Sequence, residues 1–389
     1  MTNLPQGWEV KTLSEIGEII TGSTPSKSNV EFYRKDYPFF KPSDFEQGYF
    51  LENAGDNLSK LGFGKARQLP PKTILVVCIG SLGKVALTRV IGSCNQQINA
   101  IIPHKNIISE YIYYYCISSK FQSILFSKAP QTTLAIFNKT EFSKLEIIYP
   151  KDIKEQERIV GILDFAFSKI DENIKKAKEN LANIDELMQS ALQKAFNPLK
   201  DNAKENYKLP QSWEWKSLEE ISENISAGGD KPKNCTESKT AKNQIPVYAN
   251  GVNNNGLVGY TDKATIIKPS LTISARGTIG FVCIRKEPYF PIVRLISLIP
   301  CENILCLHYL YFCLNFFIAK GEGSSIPQLT IPKFKSLQIP LPPLKEQEQI
   351  AEHLDFVFEK AKALKELYTK ELKDYEELKQ SLLNKAFKG

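Results

Sequence analysis

Apolar residues recur between positions 170 and 195 in alternating steps of four and three: Ile170, Ile174, Ala177, Leu181, Ile184, Met188, Ala191 and Ala195. This is a heptad seam, and it predicts one long helix. Asp152, three residues before Glu155, supplies a capping pattern at its start, and Pro198 pushes Asn197 out of the helical region at its end. At 1.5 Å per residue such a helix is roughly 65 Å long, more than a globular core needs. Its outer faces are rich in Lys and Glu, which favours a coiled coil over a helix lying on a core.

The same pattern returns at the end of the chain. "IKEQERIVGILDFAF" at 153–167 becomes "LKEQEQIAEHLDFVF" at 344–358, and residues 154–196 align with 345–387 without a gap, sharing about 19 identities. Pro342 and Pro343 exclude an earlier start for this second helix. Its seam is less regular. Leu354, Ala361, Leu364, Tyr368, Leu372, Tyr375, Leu382 and Ala386 can share one side, while Lys365 and Lys379 stand where the first helix has apolar residues.

The segments before the helices repeat too. "LPQGWEVKTLSEI" at 4–16 matches "LPQSWEWKSLEEI" at 209–221, and "IGSLGKV" at 79–85 resembles "RGTIGFV" at 276–282. Short runs of strand character, 73–80, 98–103, 271–277 and 295–300, are separated by Gly and polar turns, with helical pieces at 109–125 and 305–319. The plan is a block and a helix, written twice. The expected segments are a globular domain at 1–150, a long helix at 151–198, a linker at 199–208, a second globular domain at 209–342 and a second long helix at 343–389. The fold class is mixed α+β: two tandem α/β domains separated and joined by two antiparallel coiled-coil helices with pseudo-two-fold symmetry.

Charge changes the picture slightly. The net charge is +7, and residues 1–150 and 205–344 each carry an excess of four positive charges, while the helices are near neutral. Two basic blocks with neutral spacers suit a polyanion such as DNA. The eight cysteines lie scattered among apolar residues; Cys301, Cys306, His308 and Cys313 invite a zinc reading, but their spacing fits no common pattern and buried thiols are expected. No apolar run is long enough for a membrane helix, and the amino terminus has no signal-peptide pattern, so a cytoplasmic protein without a membrane partner is expected. No phosphate-loop, dinucleotide or N-P-P-Y pattern occurs, and the three histidines suggest no nucleophile.

What the blocks carry instead are residues that read and hold DNA. In the first block these are Lys27, Tyr33, Arg34, Lys41, Asn95, Gln96 and Gln97; in the second they are Lys231, Lys233, Asn253, Asn254, Arg276, Arg294 and Gln328. Arg and Lys bond guanine edges, Asn and Gln bond adenine edges, and Lys holds phosphates. Each is equally a turn residue, and "VNNNG" reads first as loop.

The chain resembles the specificity subunits of type I restriction–modification systems. The resemblance rests on "LPQGWEVKTLSEI…TGSTPSK", "GSLGKVAL…NQQINAIIP", "RGTIG" and the "P…KEQ…I" entry to each helix; Lys151-Asp152 stands where that family tends to have Pro-Leu. It implies two target-recognition domains, each reading half of a split, asymmetric DNA site, and a helical spacer that fixes the gap. It implies no catalysis and no cofactor in this chain. S-adenosylmethionine, ATP and Mg2+ would belong to partners: two modification subunits, and restriction subunits with motor and nuclease activity. The repeated first turns, Lys154, Glu155 and Gln156 with Lys345, Glu346 and Gln347, are expected to dock the modification subunits. The alternative is a standalone DNA-binding regulator, which leaves the likeness of the two spacers unexplained.

Overall fold

The computed structural model describes residues 4–128, 136–196, 210, 212–318 and 329–387. Gln328 and the expected linker 199–208 lie outside them. The chain forms two compact units, Met1–Ala177 with Lys370–Gly389, and Lys178–Thr369. Each unit therefore takes one globular block, the start of one long helix and the end of the other. This divides the chain within the helices, whereas the sequence pattern divides it at their ends.

In the first unit the central sheet runs in the order Gly17–Thr21, Ile98–Pro103, Ile74–Val77, Val85–Thr88, Phe50–Leu51. The strand Ile74–Val77 is apolar at every position and buried on both faces, as a central strand must be. Ile74 and Val76 face a core shared with the helix Ser109–Ile117 and the start of the first long helix. Leu75 and Val77 face the opposite core, with Phe40, Phe45 and Leu51. A second sheet orders Asp56–Leu58, Tyr37–Phe40, Gly92–Cys94 and Gln68–Leu69, and Trp8–Thr12 pairs with Glu146–Pro150 beside the helix start. The expected helix over 109–125 is two, Ser109–Ile117 and Ser119–Lys128, parted by the extended backbone of Ser118.

The second unit repeats this topology with one strand fewer in each of the two sheets among the described residues. Its main sheet runs Ser222–Ala227, Leu295–Pro300, Ser270–Ser274, Val282–Arg285; its smaller one runs Leu257–Thr261, Ile245–Tyr248, Phe290–Pro291; and Glu214–Ser217 pairs with Gln338–Leu341. Even the uncommon parallel pairing recurs: Tyr37–Phe40 with Gly92–Cys94 in one unit, Ile245–Tyr248 with Phe290–Pro291 in the other. The helix Leu307–Phe317 stands where Ser109–Ile117 stands in the first unit.

The long helices are continuous, Ile153–Phe196 and Leu344–Ala386. Their first turns close alike: Glu155 and Gln156 donate N–H bonds to the Asp152 carbonyl, and Glu346 and Gln347 to the Pro343 carbonyl. Asp152 adds its carboxylate, accepting from Lys154 N–H at 3.0 Å, so the departure at Lys151-Asp152 leaves the cap geometry intact. In the first unit the helix segments run antiparallel. Lys379 pairs with Asp171 at 2.6 Å and lies over the Phe167 ring, while Leu383 and Phe387 reach the core that holds Leu163 and Ile170. In the second unit Lys365 pairs with Asp185 while Ala351 and Leu354 pack near Leu192 and Phe196, again antiparallel. The two lysines of the irregular seam thus occupy true seam positions, each answered by an aspartate. Polar seam residues of this kind select one register. Leu364, expected on the seam, is instead 41% exposed; the seam passes through Lys365.

Gly161 sits inside the first long helix with open space where a side chain would go. Gly161→Ala is expected to stabilise the protein by about 0.5–1 kcal/mol through helix propensity, read as an increased denaturation midpoint.

Candidate nucleic-acid interface

In the first unit the strand Gly17–Thr21 runs into the loop 22–27. A Cβ on Gly22 would lie 2.0 Å from the Asn95 carbonyl oxygen, so only glycine lets this loop lie against 93–97. Gly22 N–H donates to Ile98 O and Ser23 N–H to Cys94 O. Beyond the strand, the Thr24 hydroxyl donates to the Gln96 side chain. Asn95 and Gln97 exchange bonds at 2.7 and 3.1 Å, and Gln97 Nε2 donates to Ile79 O at the neighbouring hairpin. The other end of the loop carries Lys27 into a concavity of about 450 Å³ lined also by Tyr33, Arg34, Lys35 and Asn57. Tyr33 donates its hydroxyl to Pro25 O, and Lys41 pairs with Asp56 on the rim.

Six of the seven candidates of this block are thus exposed or half-buried along one loop and its neighbours. Asn95 is the exception. It is 7% exposed and committed to Gln97, so its part is to shape the loop rather than to meet a base. Arg67, which the sequence pattern does not single out, joins this surface: its N–H bonds Ser23 and its guanidinium donates to Thr21 O.

In the second unit Gly228 plays the part of Gly22. Its N–H donates to Leu295 O, and a Cβ there would lie 2.4 Å from Ile292 O. Lys231 and Lys233 follow on the exposed loop, and Val293 N–H donates to Gly229 O, which brings exposed Arg294 beside it. Arg276 is exposed in the turn after Ser270–Ser274. Asn250 holds that turn, donating to Arg276 O and accepting from Ala275 N–H. The run 253–255 has a local explanation: Asn254 and Asn255 both lie in the left-handed region, at φ 48° and 51°, where Asn is tolerated. Arg285, 8% exposed and absent from the sequence candidates, supports this loop. It stacks on Tyr248 at 3.5 Å, donates to Thr272 at 3.0 Å and to Asn255 O at 2.6 Å. Nothing in the local sequence marks it, because its partners lie in other strands.

The expected docking residues divide. Lys154 and Lys345 are exposed. Glu155 is half-buried and held by two 2.7 Å bonds from Arg158, which keep its carboxyl below the usual range. Glu346 accepts from Trp213 Nε1 at 3.0 Å. Gln156 and Gln347 are fully buried, so neither can meet a partner as expected; their amides bond backbone within their own unit.

His308 Nδ1 turns to Asp355 at 2.6 Å, and among the described residues no group of three or more His, Cys, Asp or Glu is placed to hold a metal ion. Cys78 and Cys94 are buried, which pushes both thiols up to about 12. No described helix is long and apolar enough to cross a membrane.

The model of the type I restriction modification DNA specificity domain matches residues 5–183 and again 210–373. The chain belongs to that family. The specificity subunit of the type I restriction enzyme HindI of Haemophilus influenzae is 39% identical over 176 residues, 44% of this chain and 38% of that protein. The MjaIX specificity subunit of Methanocaldococcus jannaschii is 24% identical over 92% of this chain and 88% of its own length. The fold is shared with a solved chain of a type I restriction–modification system, at a TM-score of 0.83 and 19% identity over 100% of this chain and 99% of that one. It is also shared with the HsdS subunit of Thermoanaerobacter tengcongensis, at 0.61 and 20% over 99% and 98%. The duplicated specificity domain is thus what the two repeated blocks and helices are.

Proposed function

We propose that this specificity subunit reads a split DNA site, one half with each block, and scaffolds the methylating and restricting subunits of a type I complex without catalysing a reaction itself. The observation that carries this reading is one topology built twice with unlike side chains at matching places. The run that leaves the strand Gly17–Thr21 is "TGSTPSK", and the run that leaves its counterpart Ser222–Ala227 is "AGGDKPK". Unlike readers imply unlike half-sites, hence a non-palindromic target. Methylation of adenine, with its S-adenosylmethionine, and the ATP- and Mg2+-dependent steps would belong to the partners. Methylation-sensitive sequencing of the host genome with and without the gene is expected to show loss of one split adenine-methylation motif. An unchanged methylation pattern would sink the proposal.

Lys27, Arg34, Lys233, Arg276 and Arg294 are the proposed DNA contacts. Arg276→Ala is expected to weaken reading of one half-site only, by about 1–3 kcal/mol for a lost bidentate base contact. Equal weakening across all sequences would make Arg276 a phosphate contact instead.

Partner docking is assigned to the exposed faces repeated in both long helices. Lys154 and Lys345 begin them, and the identical Phe165 and Phe356 stand 68% and 59% exposed. Large apolar side chains repeated in solvent suit a partner present in two like copies. Lys154→Glu with Lys345→Glu is expected to abolish co-purification with the methylating subunit; an intact complex would remove these lysines from the interface.

A further inference from the structure

Gln156 and Gln347 form the same buried joint in both units. Gln156 Oε1 accepts from Ile108 N–H at 2.9 Å, and its Nε2 donates to Asn106 O at 3.3 Å and Pro150 O at 2.9 Å. Gln347 Oε1 accepts from Cys306 N–H at 2.9 Å, and its Nε2 donates to Ile304 O at 2.9 Å and Pro342 O at 2.8 Å. Both side chains are 0% exposed. In each case two groups lie in the loop before the block's helix, and the third at or just past the end of its last strand. Ile108 and Cys306 are the N-caps of those helices and have no side-chain cap of their own. One amide thus joins three backbone groups of a globular block to the first turn of its long helix.

Apolar contacts at this junction, such as Ile159 and Leu163 in the first unit, are non-directional and tolerate small rotations. Three hydrogen bonds to fixed backbone do not, because each weakens steeply off axis. The neighbouring polar contact is less strictly kept. Asp164 accepts from Tyr114, whereas its counterpart Asp355 faces His308. Beside the glutamines Lys154, Glu155, Glu157 and Ile159 recur as Lys345, Glu346, Glu348 and Ile350, while Arg158, Gly161 and Ile162 answer to Gln349, Glu352 and His353. The amide keeps its three backbone partners in both copies, while the aspartate eight positions on changes its partner.

We propose that Gln156 and Gln347 are positioning residues that fix the pose of each DNA-reading block on its long helix, and thereby the spacer length that the protein accepts between half-sites. This rests on the two-half-site reading above. One added base pair moves a half-site by about 3.4 Å and turns it by about 35°. A rigid joint rejects that change, and a loosened joint follows it.

The test uses the full chain in complex with its methylating partner. Binding is measured to duplexes carrying the methylated motif with its native spacer, or with one base pair added or removed. Gln156→Met keeps the volume and removes all three bonds; Gln156→Glu keeps an acceptor for Ile108 N–H and at most one of the two donors; Gln347→Met repeats the change in the other unit. The expected result is a preference for the native spacer reduced about tenfold or more, with base preference inside each half-site retained. A merely structural glutamine would lower the melting temperature and leave spacer preference unchanged. That outcome in any variant that still binds overturns the proposal. If the unaltered complex itself shows no sequence-specific binding, the two-half-site reading fails instead.

Discussion

Phe387→Ala is expected to destabilise the first unit by about 3–5 kcal/mol, and Phe196→Ala the second by a similar amount. Each phenylalanine ends or directly follows a long helix, and each is buried, at 2% and 0% exposure. Phe387 meets Tyr111 edge-on at 5.4 Å and Tyr115 at 5.2 Å. Phe196 meets Tyr309 edge-on at 5.7 Å and Phe316 at 5.5 Å. Truncation removes both the buried area and the ring contacts, and leaves a cavity beside rigid aromatics that cannot collapse into it. A chain of two units need not unfold in one step, so the readout must be local. Amide exchange should quicken in Ile74–Val77 but not in Ser270–Ser274 for Phe387→Ala, and the reverse for Phe196→Ala. Equal quickening of both strands in one variant would mean that the two units do not hold separate cores.

The second large effect is expected from two adjacent glycines that differ only in what surrounds them. Gly228→Ala places a Cβ within 2.4 Å of the Ile292 carbonyl oxygen, which is backbone and cannot swing away. The loop bearing Lys231 and Lys233 must then part from Val293 and Arg294. The expected cost is about 1–3 kcal/mol of stability, with loss of reading at one half-site. Gly229→Ala meets nothing within 4 Å and should stay within about 0.5 kcal/mol of the parent with recognition intact. Comparing the two variants by melting and by half-site binding isolates the close approach from the chemistry of adding a methyl. Similar behaviour of the two would show that the loop can shift freely. Gly22→Ala, at 2.0 Å from Asn95 O, should repeat the Gly228 result in the other block.

Much of this architecture was legible in the residues alone. Heptad steps, proline stops and the "KEQ" repeat announced two long helices, and they stand at Ile153–Phe196 and Leu344–Ala386. Apolar runs announced the central strands, which stand at Ile74–Val77, Ile98–Pro103, Ser270–Ser274 and Leu295–Pro300. These signals are local: a period of 3.5 or an unbroken apolar run declares its own burial. The DNA-reading candidates were legible only as types. Asn253 and Asn254 stand among the candidates although their run reads first as loop, and the backbone uses Asn254 and Asn255 for a left-handed turn.

What the sequence determined by itself is the duplication, the order of elements and the family of proteins they resemble, because each is written in neighbouring residues or in one stretch compared with another. Tertiary structure alone decided which repeated residues are joints and which are surfaces. Gln156 and Lys154 lie two positions apart and both recur, but one is sealed against three backbone groups and the other faces water. It alone paired Lys379 with Asp171 and Lys365 with Asp185, and put the ends of each long helix into different compact units. The physical reason is the same throughout. Apart from the bonds to Pro150 and Pro342, which are local, these contacts join residues about 40 to 210 positions apart, and the cost of closing such loops is met only when the whole block folds, so no local pattern records them.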